Sequence, residues 1–413
     1  MARLLAAVNR FSSTLRRLPI FERVQPLWNA AAACLPLDLS KSDSTLFINL
    51  ELTARCNLRC VYCEKSFPEG RERVFDFPDE WIGPCMDILQ RRGLWLVSAH
   101  GVGESTVRKG WQNICRGMLD SGVNLTIVSN FARPLRPEDT AILIHFRSIL
   151  VSLDTADPEL FARIRRGARL DTLIMNIGQV QERAKAEGVQ PPEIDFDIVV
   201  TDKTIFGSEA LVELGLKCGI STFYFNDLCR MPDIEGAIHV HNATALPKEQ
   251  LAEGLACLKR AMELAKRAGR KVECQAGLLD GIQSKLQEST GEHGALPVLG
   301  QSPSWAAPRV VKGTTRDCTL PWETAYLSAD GPVRPCCRTT QDVGDLRTET
   351  LEEILNGPKL RKFREDLLSG NLEGGPCMHC PAAPQVPVAE FRRHMSGRLA
   401  LYSLRRRILN LFH

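Results

Sequence analysis

The chain has 413 residues, which is long enough for two domains or for one large barrel with an appended unit. Hydrophobic residues make up 44% and charged residues 24% of the sequence, as is typical of a globular protein that buries its own core. The formal net charge of +3, from 52 basic and 49 acidic residues, argues against a dedicated nucleic-acid-binding surface. The 15 cysteines are an odd number in a large chain and seven have metal-like spacings, so we expect a reducing compartment, the cytoplasm.

Both ends of the chain have a basic and amphipathic pattern. Residues 4–21 and 399–412 predict helices in which arginines alternate with apolar residues. Such helices either pack on the protein or a partner, or make peripheral contact with an anionic membrane. The first residues lack the pattern of a cleaved signal peptide, and no apolar run approaches the roughly 18 residues that a membrane span requires.

Short apolar runs alternate with longer helical patterns from residue 46 to about residue 274. Strands are predicted at 47–52, 95–99, 125–129, 149–153, 194–200 and 222–226, with a further short strand at 271–275. Helices are predicted at 79–91, 107–120, 138–146, 171–187, 208–218 and 248–268. Because parallel neighbours need long crossover connections, six strands separated by helices predict an α/β fold, an open (β/α)6 partial TIM barrel. Functional residues are then expected at the C-terminal ends of the strands.

The chain beyond the barrel has a different composition. Residues 289–308 are rich in Gly, Ser and Pro, which is typical of a linker. Asp330-Gly331 predicts the turn of a hairpin, and a helix is predicted at 350–369. We therefore divide the chain into an N-terminal helical extension (1–45), the barrel (46–275), a linker or loop (276–314), a small cysteine-rich α+β domain (315–384) and a C-terminal basic helix (385–413).

Three cysteines follow the first predicted strand. Cys56, Cys60 and Cys63 are set as Cys-Asn-Leu-Arg-Cys-Val-Tyr-Cys. Cysteines this close together are usually metal-binding or reactive, which favours a metal site over three chance cysteines in an apolar loop. A four-iron cluster usually takes four cysteines, so a loop with three leaves one iron open to another ligand.

This CxxxCxxC spacing, with an aromatic residue before the third cysteine, resembles the signature of the radical S-adenosylmethionine (SAM) superfamily. The resemblance implies that Cys56, Cys60 and Cys63 hold a catalytic 4Fe-4S cluster whose open iron chelates the amino and carboxylate groups of SAM. It also implies reductive cleavage of SAM to a 5′-deoxyadenosyl radical that abstracts a substrate hydrogen atom. The electron would come from a donor such as flavodoxin or ferredoxin.

A glycine-rich segment, Ser98-Ala-His-Gly-Val-Gly-Glu-Ser105, follows the second predicted strand. It resembles the glycine-glutamate motif of the superfamily through Gly101, Gly103 and Glu104, with Ser105 where the superfamily more often has proline. The resemblance implies that the glycines let the main chain approach SAM and that Glu104 accepts hydrogen bonds from its amino group.

The other SAM contacts implied by the resemblance lie at strand ends or in the cysteine motif, and they are Tyr62, Asn130, Ser152, Asp154 and Val199. Tyr62 is expected beside the adenine, Ser152 and Asp154 near the ribose or the substrate, and Asn226 in the substrate region. Polar side chains at strand ends also cap the following helices, and this alternative stays open. His100 is either a ligand or proton carrier, or a hydrogen-bonded loop residue.

Four further cysteines have metal-binding spacings in the final unit, namely Cys318, Cys336, Cys377 and Cys380. Four sulfurs can close a tetrahedral zinc site or bind a complete four-iron cluster. Behind a radical SAM motif, the pattern Cys-x12-Gly331-x4-Cys followed by CxxC resembles the SPASM or twitch extension, which binds auxiliary iron-sulfur clusters. Since the full seven-cysteine SPASM pattern is absent, the resemblance implies one auxiliary 4Fe-4S cluster. Cys337, adjacent to Cys336, is an alternative ligand.

The sequence therefore predicts a radical SAM enzyme that oxidises or otherwise modifies a small-molecule or carbohydrate-like substrate with the help of an auxiliary cluster. Only about 45 residues precede the first strand, which is short for a leader-peptide recognition domain. A peptide- or protein-modifying maturase is the alternative. The competing predictions of another class are a non-catalytic iron-sulfur electron carrier or scaffold, and a zinc-binding interaction module.

Overall fold

The structure is a computed structural model that describes residues 36–228, 238–287, 309–380 and 383–410. The helix predicted at 4–21 and the Gly-, Ser- and Pro-rich stretch at 289–308 lie outside the described residues.

The described strands and helices alternate along most of the chain. The strands are β1 (Phe47–Leu50), β2 (Arg59–Cys60), β3 (Leu96–Ala99), β4 (Asn124–Ser129), β5 (Ser148–Ser152), β6 (Arg165–Arg166), β7 (Glu193–Val200), β8 (Thr222–Asp227), β9 (Lys271–Cys274), β10 (Thr314–Arg316), β11 (Thr324–Leu327), β12 (Pro332–Arg334), β13 (Gly344–Asp345) and β14 (Gln385–Pro387). The α-helices are Pro68–Glu72, Asp79–Arg91, Trp111–Asp120, Pro137–Leu143, Pro158–Ile164, Leu170–Ala186, Ser208–Lys217, Lys248–Arg267, Ala276–Gln287, Leu320–Glu323, Leu351–Leu355, Pro358–Ser369 and Val388–Asn410.

The main sheet has ten strands in the order β13-β12-β11-β1-β3-β4-β5-β7-β8-β9. All neighbours from β1 to β9 pair in parallel, which confirms the predicted partial barrel. The short strand β9 extends the six predicted strands by one, and it pairs in parallel with β8. The predicted strand and helix bounds in the barrel agree with the structure to within a few residues.

The hairpin of the C-terminal unit continues the barrel sheet instead of forming a separate one. Strand β11 pairs in parallel with β1, with Ile48 opposite Ala325 and Leu50 opposite Leu327. Strands β12 and β13 then add in antiparallel order. Without β11, β1 would be an edge strand with unpaired main-chain donors and acceptors, so this pairing satisfies a constraint of the barrel itself.

The helix predicted at 350–369 is two helices, Leu351–Leu355 and Pro358–Ser369. The first begins at Thr350, whose side chain accepts a hydrogen bond in a capping box. The break follows from Pro358, because proline lacks the amide donor of a helix interior and disfavours helical geometry in the residue before it.

The segment 276–314, predicted to be a linker or loop, begins with the helix Ala276–Gln287. Leu278 and Ile282 of this helix are buried in the core. Their spacing of four residues is that of one face of a helix, a signal that the composition of the following residues obscures.

The C-terminal helix Val388–Asn410 packs on the rest of the protein through side chains between residues 391 and 402. Phe391 and Met395 are fully buried, and the hydroxyl of Tyr402 donates a hydrogen bond to the carboxylate of Glu323. These contacts agree with the packed alternative for this part of the predicted basic helix. None of the described helices has the length and apolar character needed to cross a membrane.

The barrel strands separate apolar from polar side chains, because successive residues of a strand point to opposite faces. Ile48 and Leu50 of β1 are buried in the core that the sheet forms with its helices. The opposite face, which we call the open face, carries half-buried polar residues such as Asn49, Ser152 and Asp197. The open face therefore offers hydrogen-bonding groups near the C-terminal ends of the strands.

We expect the substitution Asp195→Asn to stabilise the protein at alkaline pH. Asp195 is buried in β7, one of its carboxylate oxygens has no hydrogen bond among the described residues, and burial raises its pKa from 3.8 to about 6. Above pH 6 the folded state bears the cost of an ionised carboxylate that the unfolded chain does not bear. As the pH falls from 6 towards 4 the group becomes protonated and this cost disappears.

The measurement is denaturant unfolding of both proteins at pH 8 and pH 4.5. The variant should be more stable by about 1 kcal/mol at pH 8, and the difference should shrink at pH 4.5. Asp87→Asn, at an exposed position, is the matched control and should show no such dependence. An equal difference at the two pH values would contradict this account of Asp195.

Candidate cluster and cofactor site

Residues 56–63, the first cysteine loop, are held in place by main-chain hydrogen bonds. Strand β2 within the loop pairs antiparallel with β6, with Cys60 opposite Arg165. The amide of Val61 donates to the carbonyl of Ile164 at 2.9 Å, and the amide of Cys63 donates to the carbonyl of Cys60 at 3.0 Å. Main-chain bonds thus anchor the loop to the chain that follows β5.

Main-chain amides donate hydrogen bonds to the sulfur atoms of both predicted ligand sets. In each case the donor lies two residues after the cysteine, and the pairs are Leu58 to Cys56, Lys65 to Cys63, Leu320 to Cys318 and Arg338 to Cys336. The bond from Leu58 to the sulfur of Cys56 is 3.4 Å long. Donors to sulfur stabilise a thiolate and tune the potential of a cluster that it binds.

The three thiols of the first cysteine loop lie close enough to influence one another. Burial raises the pKa of Cys56 to about 11 and that of Cys60 to about 12, and the neighbouring thiols add to both shifts. Burial also raises the pKa of Cys63. Without a metal these thiols are protonated at neutral pH, so cluster binding must release protons and stabilise the thiolates.

A buried ion pair between Asp154 and Arg165 lies beside the first cysteine loop. Asp154 accepts two hydrogen bonds from Arg165, at 2.8 and 2.9 Å, one from the hydroxyl of Tyr62 at 2.6 Å and one from the amide of Val199 at 3.1 Å. The guanidinium of Arg165 also lies 5.7 Å from the centre of the Tyr62 ring. Tyr62, Asp154 and Val199, which we predicted as cofactor contacts, are therefore brought together around the Asp154 carboxylate, and their contact with a cofactor stays a prediction.

Arg165 is a site residue that the sequence analysis missed. It is 6% exposed, and it pairs with Asp154 and lies within electrostatic range of Cys60. Its positive charge lowers the pKa of the Cys60 thiol, against the larger effect of burial. No local pattern identifies it, because the basic run at 163–166 resembles a solvated helix end.

Glu104 connects the end of β3 to the end of β4. One of its carboxylate oxygens accepts bonds from Thr106 and from the hydroxyl of Ser129 at 2.9 Å, and the other accepts a bond from the amide of Asn130 at 2.7 Å. The side-chain amide of Asn130 lies 3.9 Å from the sulfur of Cys56. Two more of the predicted cofactor contacts thus lie beside the first cysteine loop.

The two predicted glycines allow protein segments to approach one another. A Cβ atom on Gly103 would lie 2.1 Å from the carbonyl oxygen of Thr53 and 2.5 Å from that of Arg55. A Cβ atom on Gly101 would lie 2.4 Å from the side chain of Glu51. Both glycines thus allow the close approach of the chain that leads into the first cysteine loop, and their predicted approach to SAM stays a prediction.

The remaining predicted residues lie on the open face or at its edge. Ser152 is opposite Asp197 in the register of β5 and β7, and the side-chain amide of Asn226 donates to Asp197 at 2.8 Å. Burial raises the pKa of Asp197, a residue that the sequence analysis did not single out. His100 lies 3.3 Å from Asn49, and burial lowers its pKa, so it is a neutral hydrogen-bonded residue at pH 7.

The four predicted ligands of the C-terminal unit also come together. Burial raises the pKa of Cys318 to about 12, and the nearby Cys336 and Cys380 add to that shift. Burial likewise raises the pKa of Cys377, and the nearby thiols of Cys318, Cys380 and Cys336 add to that shift. Cys336 is half-buried whereas Cys337 is exposed, which supports Cys336 as the ligand.

A buried arginine of β10 contacts the main chain of the CxxC segment. Arg316 of β10 donates to the carbonyl of Cys377 at 3.2 Å and to that of Met378 at 2.9 Å. Its guanidinium is thus paired with the main chain next to Cys377, and its charge lowers the pKa of that thiol against the larger effect of burial.

Within the described ranges, no group of three or more His, Cys, Asp or Glu side chains is positioned to hold a single metal ion. A zinc site gathers all its ligands around one ion, whereas each cysteine of a cubane binds a different iron.

Comparisons with known proteins identify the C-terminal unit. Residues 318–381 match the SPASM family, an iron-sulfur cluster-binding domain. The chain is 27% identical over 188 residues to the GTP 3′,8-cyclase of Hydrogenovibrio crunogenus, covering 44% of this chain and 54% of the relative. It is 26% identical over 194 residues to the GTP 3′,8-cyclase of Rhodococcus opacus, covering 46% of this chain and 53% of the relative. The chain thus spans about half the length of these curated relatives.

Two solved structures share the fold over most of the chain. Streptococcus suis SuiB bound to S-adenosylmethionine has a TM-score of 0.54 at 15% identity and covers 79% of this chain and 67% of its own. The structure of anSMEcpe with bound AdoMet has a TM-score of 0.53 at 15% identity and covers 89% of this chain and 95% of its own. At these identities the likeness concerns the fold alone.

We expect Gly103→Ala to displace the first cysteine loop, because the added methyl group would collide with two main-chain carbonyls that cannot rotate away. The variant should lose about 2–4 kcal/mol of stability and should bind less iron on anaerobic reconstitution. Thermal unfolding and an iron assay measure these effects.

The matched control is Gly117→Ala in the helix Trp111–Asp120, where an added Cβ meets nothing within 4 Å. Alanine is the better helix former by up to about 1 kcal/mol, so this control should be neutral or stabilising. Wild-type stability and iron content in Gly103→Ala would show that the close approach at Gly103 is not required.

Proposed function

Since the chain joins a radical SAM fold to a SPASM iron-sulfur domain, we propose that it is an enzyme that reductively cleaves S-adenosylmethionine and modifies a substrate C–H bond. Bound at the first cysteine loop, a 4Fe-4S cluster and SAM would together supply the 5′-deoxyadenosyl radical for hydrogen abstraction. The observation that carries the proposal is the set of three mutually close thiols after β1, with main-chain donors to sulfur and a buried ion pair beneath.

We assign roles in this reaction to residues of the chain. Cys56, Cys60 and Cys63 would hold the cluster and leave one iron open. Glu104 has one carboxylate oxygen with a single donor, the amide of Asn130, so it retains capacity to accept a bond from the ammonium group of SAM. Its fixed position beside the loop would orient SAM before cleavage.

The open face would bind the ribose of SAM and the substrate. Ser152, Asp197 and Asn226 form a row across β5, β7 and β8 close to the predicted SAM contacts. The Asp154–Arg165 pair beneath the loop would keep Tyr62 and the loop still while the substrate binds. We propose this supporting role for Tyr62 and Asp154 alongside their predicted proximity to the cofactor.

The C-terminal unit would hold an auxiliary cluster through Cys318, Cys336, Cys377 and Cys380. A cluster bound entirely by protein can accept an electron from the substrate radical, which favours net oxidation. This role agrees with the position of the unit, since its hairpin is part of the barrel sheet. An external electron donor such as flavodoxin or ferredoxin would reduce the catalytic cluster.

A small hydroxyl-bearing substrate is the first candidate, because the open face offers carboxylate, amide and hydroxyl groups rather than an apolar surface. A peptide substrate is the second candidate. It is favoured by the structural neighbour SuiB, which has been solved bound to its precursor peptide SuiA with a TM-score of 0.55 to this chain. Since every described cysteine is a free thiol, we also propose a reducing, cytoplasmic location.

Anaerobic reconstitution of the full chain tests the proposed function. We expect brown protein with about eight irons per chain, and 5′-deoxyadenosine on reduction in the presence of SAM. Replacing Cys56, Cys60 and Cys63 together by alanine should remove about four irons and abolish 5′-deoxyadenosine. Replacing Cys377 and Cys380 should remove the other four or so while some SAM cleavage remains.

Cys337→Ala is the control for these variants, because its thiol is exposed and adjacent to a predicted ligand. It should keep the full iron content and the wild-type rate of SAM cleavage. Clusters without any 5′-deoxyadenosine would favour the electron carrier or scaffold, and colourless zinc-containing protein would favour the interaction module.

Deuterium transfer separates the two substrate classes. Candidate alcohols and peptides labelled at carbon are incubated with reduced enzyme and SAM, and the label is sought in 5′-deoxyadenosine by mass spectrometry. We expect transfer from a hydroxyl-bearing small molecule. Transfer from a labelled peptide alone would replace this candidate by the peptide-modifying one.

A further inference from the structure

A buried carboxylate next to β1 connects three separate parts of the chain. Glu51 is 1% exposed, and its two oxygens accept hydrogen bonds from the amide of Val102 at 2.7 Å and from the amide of Ala329 at 3.0 Å. Val102 belongs to the loop after β3, and Ala329 to the turn of the C-terminal hairpin. Gly101 lies so close that an added Cβ would overlap the Glu51 side chain. The Glu51 carboxylate is therefore buried, hydrogen-bonded through both oxygens and closely packed against Gly101.

Arg73 provides the positive charge that faces this carboxylate. Its guanidinium lies 3.5 Å from Glu51, 3.4 Å from Asp330 in the turn of the hairpin, and 3.1 Å from Glu64. The side chain of Arg73 is only 25% exposed. A single partly buried cation thus faces three carboxylates that belong to three different segments.

Arg73 contacts side chains from the segments that lead to the two predicted cluster sites. Glu64 directly follows Cys63, the third cysteine of the first cysteine loop, and Lys65 donates to the main-chain carbonyl of Arg73 at 2.5 Å. On the other side, the ring of Tyr326 in β11 lies within electrostatic range of Arg73, Glu51 and Cys337. The segments that meet at Arg73 are therefore the ones that carry the two ligand sets.

We propose that the Glu51–Arg73 pair is a shared positioning element, which holds the hairpin of the C-terminal unit against the first cysteine loop and sets the reduction potentials of both clusters. The proposal rests on the proposed function in requiring a cluster at each cysteine set. Arg73 is a positioning residue, because it touches neither cysteine set directly.

The charge of Arg73 predicts the direction of the effect. Reduction adds negative charge to a cluster, and a nearby cation stabilises that charge, so removing Arg73 should lower the potential. Removing the anion Glu51 should raise it for the same reason. Lysine at position 73 loses the fork geometry of arginine but keeps the positive charge. Because the charge is kept, the potentials should stay near the wild-type values.

The experiment is a redox titration of the reconstituted full chain, followed by the EPR signals of the two reduced clusters. We expect Arg73→Gln to lower both midpoint potentials, Glu51→Gln to raise both, and Arg73→Lys to leave them nearly unchanged. The control is Arg169→Gln, which removes an arginine with 76% side-chain exposure that pairs with Asp171, and it should shift neither potential. If the Glu51–Arg73 pair had a purely structural role, removing the cation and removing the anion would not shift the midpoint potentials in opposite directions.

Hydrogen exchange of the full chain without clusters is the second measurement, because a variant that assembles clusters poorly would prevent the titration. The amides of Ala329 and Val102 should exchange at least about tenfold faster in Glu51→Gln, since a neutral amide accepts weaker bonds than a carboxylate. In Arg169→Gln their exchange should be unchanged.

Three results would overturn the proposal. They are shifts of equal sign in Arg73→Gln and Glu51→Gln, a shift confined to one cluster, and unchanged exchange at Ala329 in Glu51→Gln. Failure of the proposed function is separate, because it would show as intact clusters without 5′-deoxyadenosine in the wild type, whatever the potentials of the variants.

Discussion

The first cysteine loop depends on the buried pair of Arg165 and Asp154. Removing two charges from water costs several kcal/mol per ion, and the pair persists only where hydrogen bonds satisfy both groups. Here the carboxylate accepts four such bonds, one of them from Tyr62 inside the loop. The loop, whose regular structure among the described residues is limited to the two-residue strand β2, thereby acquires a rigid base, and its sulfur atoms are held near one another before any metal binds.

Segments next to both predicted cluster sites are joined by one sheet. Because β11 pairs with β1, the hairpin that leads to Cys336 is in register with the strand that leads to the first cysteine loop. Main-chain hydrogen bonds across the sheet therefore fix the hairpin relative to that loop. Near the C-terminal end of β1, the hydrogen bond from Ala329 to Glu51 and the Glu51–Arg73 ion pair add further contacts between β1 and the hairpin.

Local patterns in the sequence predicted much of the fold and part of the site. The alternation of apolar and helical runs predicted the parallel barrel strands to within a few residues, because each pattern depends only on neighbours along the chain. The spacing of Cys56, Cys60 and Cys63 predicted three neighbouring sulfur atoms for the same reason, whereas the grouping of Cys318 and Cys336 with Cys377 and Cys380 came from the resemblance to the SPASM pattern. The break at Pro358 was missed because the continuous apolar period of residues 350–369 outweighed the signal of a single proline. The helix Ala276–Gln287 was missed because the Gly, Ser and Pro content of the following residues outweighed its own apolar spacing.

The sequence by itself determined the first cysteine loop and the βα alternation, because these features are encoded within short segments. Only the tertiary structure decided that Arg165 lies under the first cysteine loop, that β11 completes the barrel edge, and that Glu51 meets the hairpin. Each of these contacts joins residues distant in the chain, and no local period or spacing specifies them. They form because a buried charge or an unpaired strand edge must find a partner somewhere in the folded molecule.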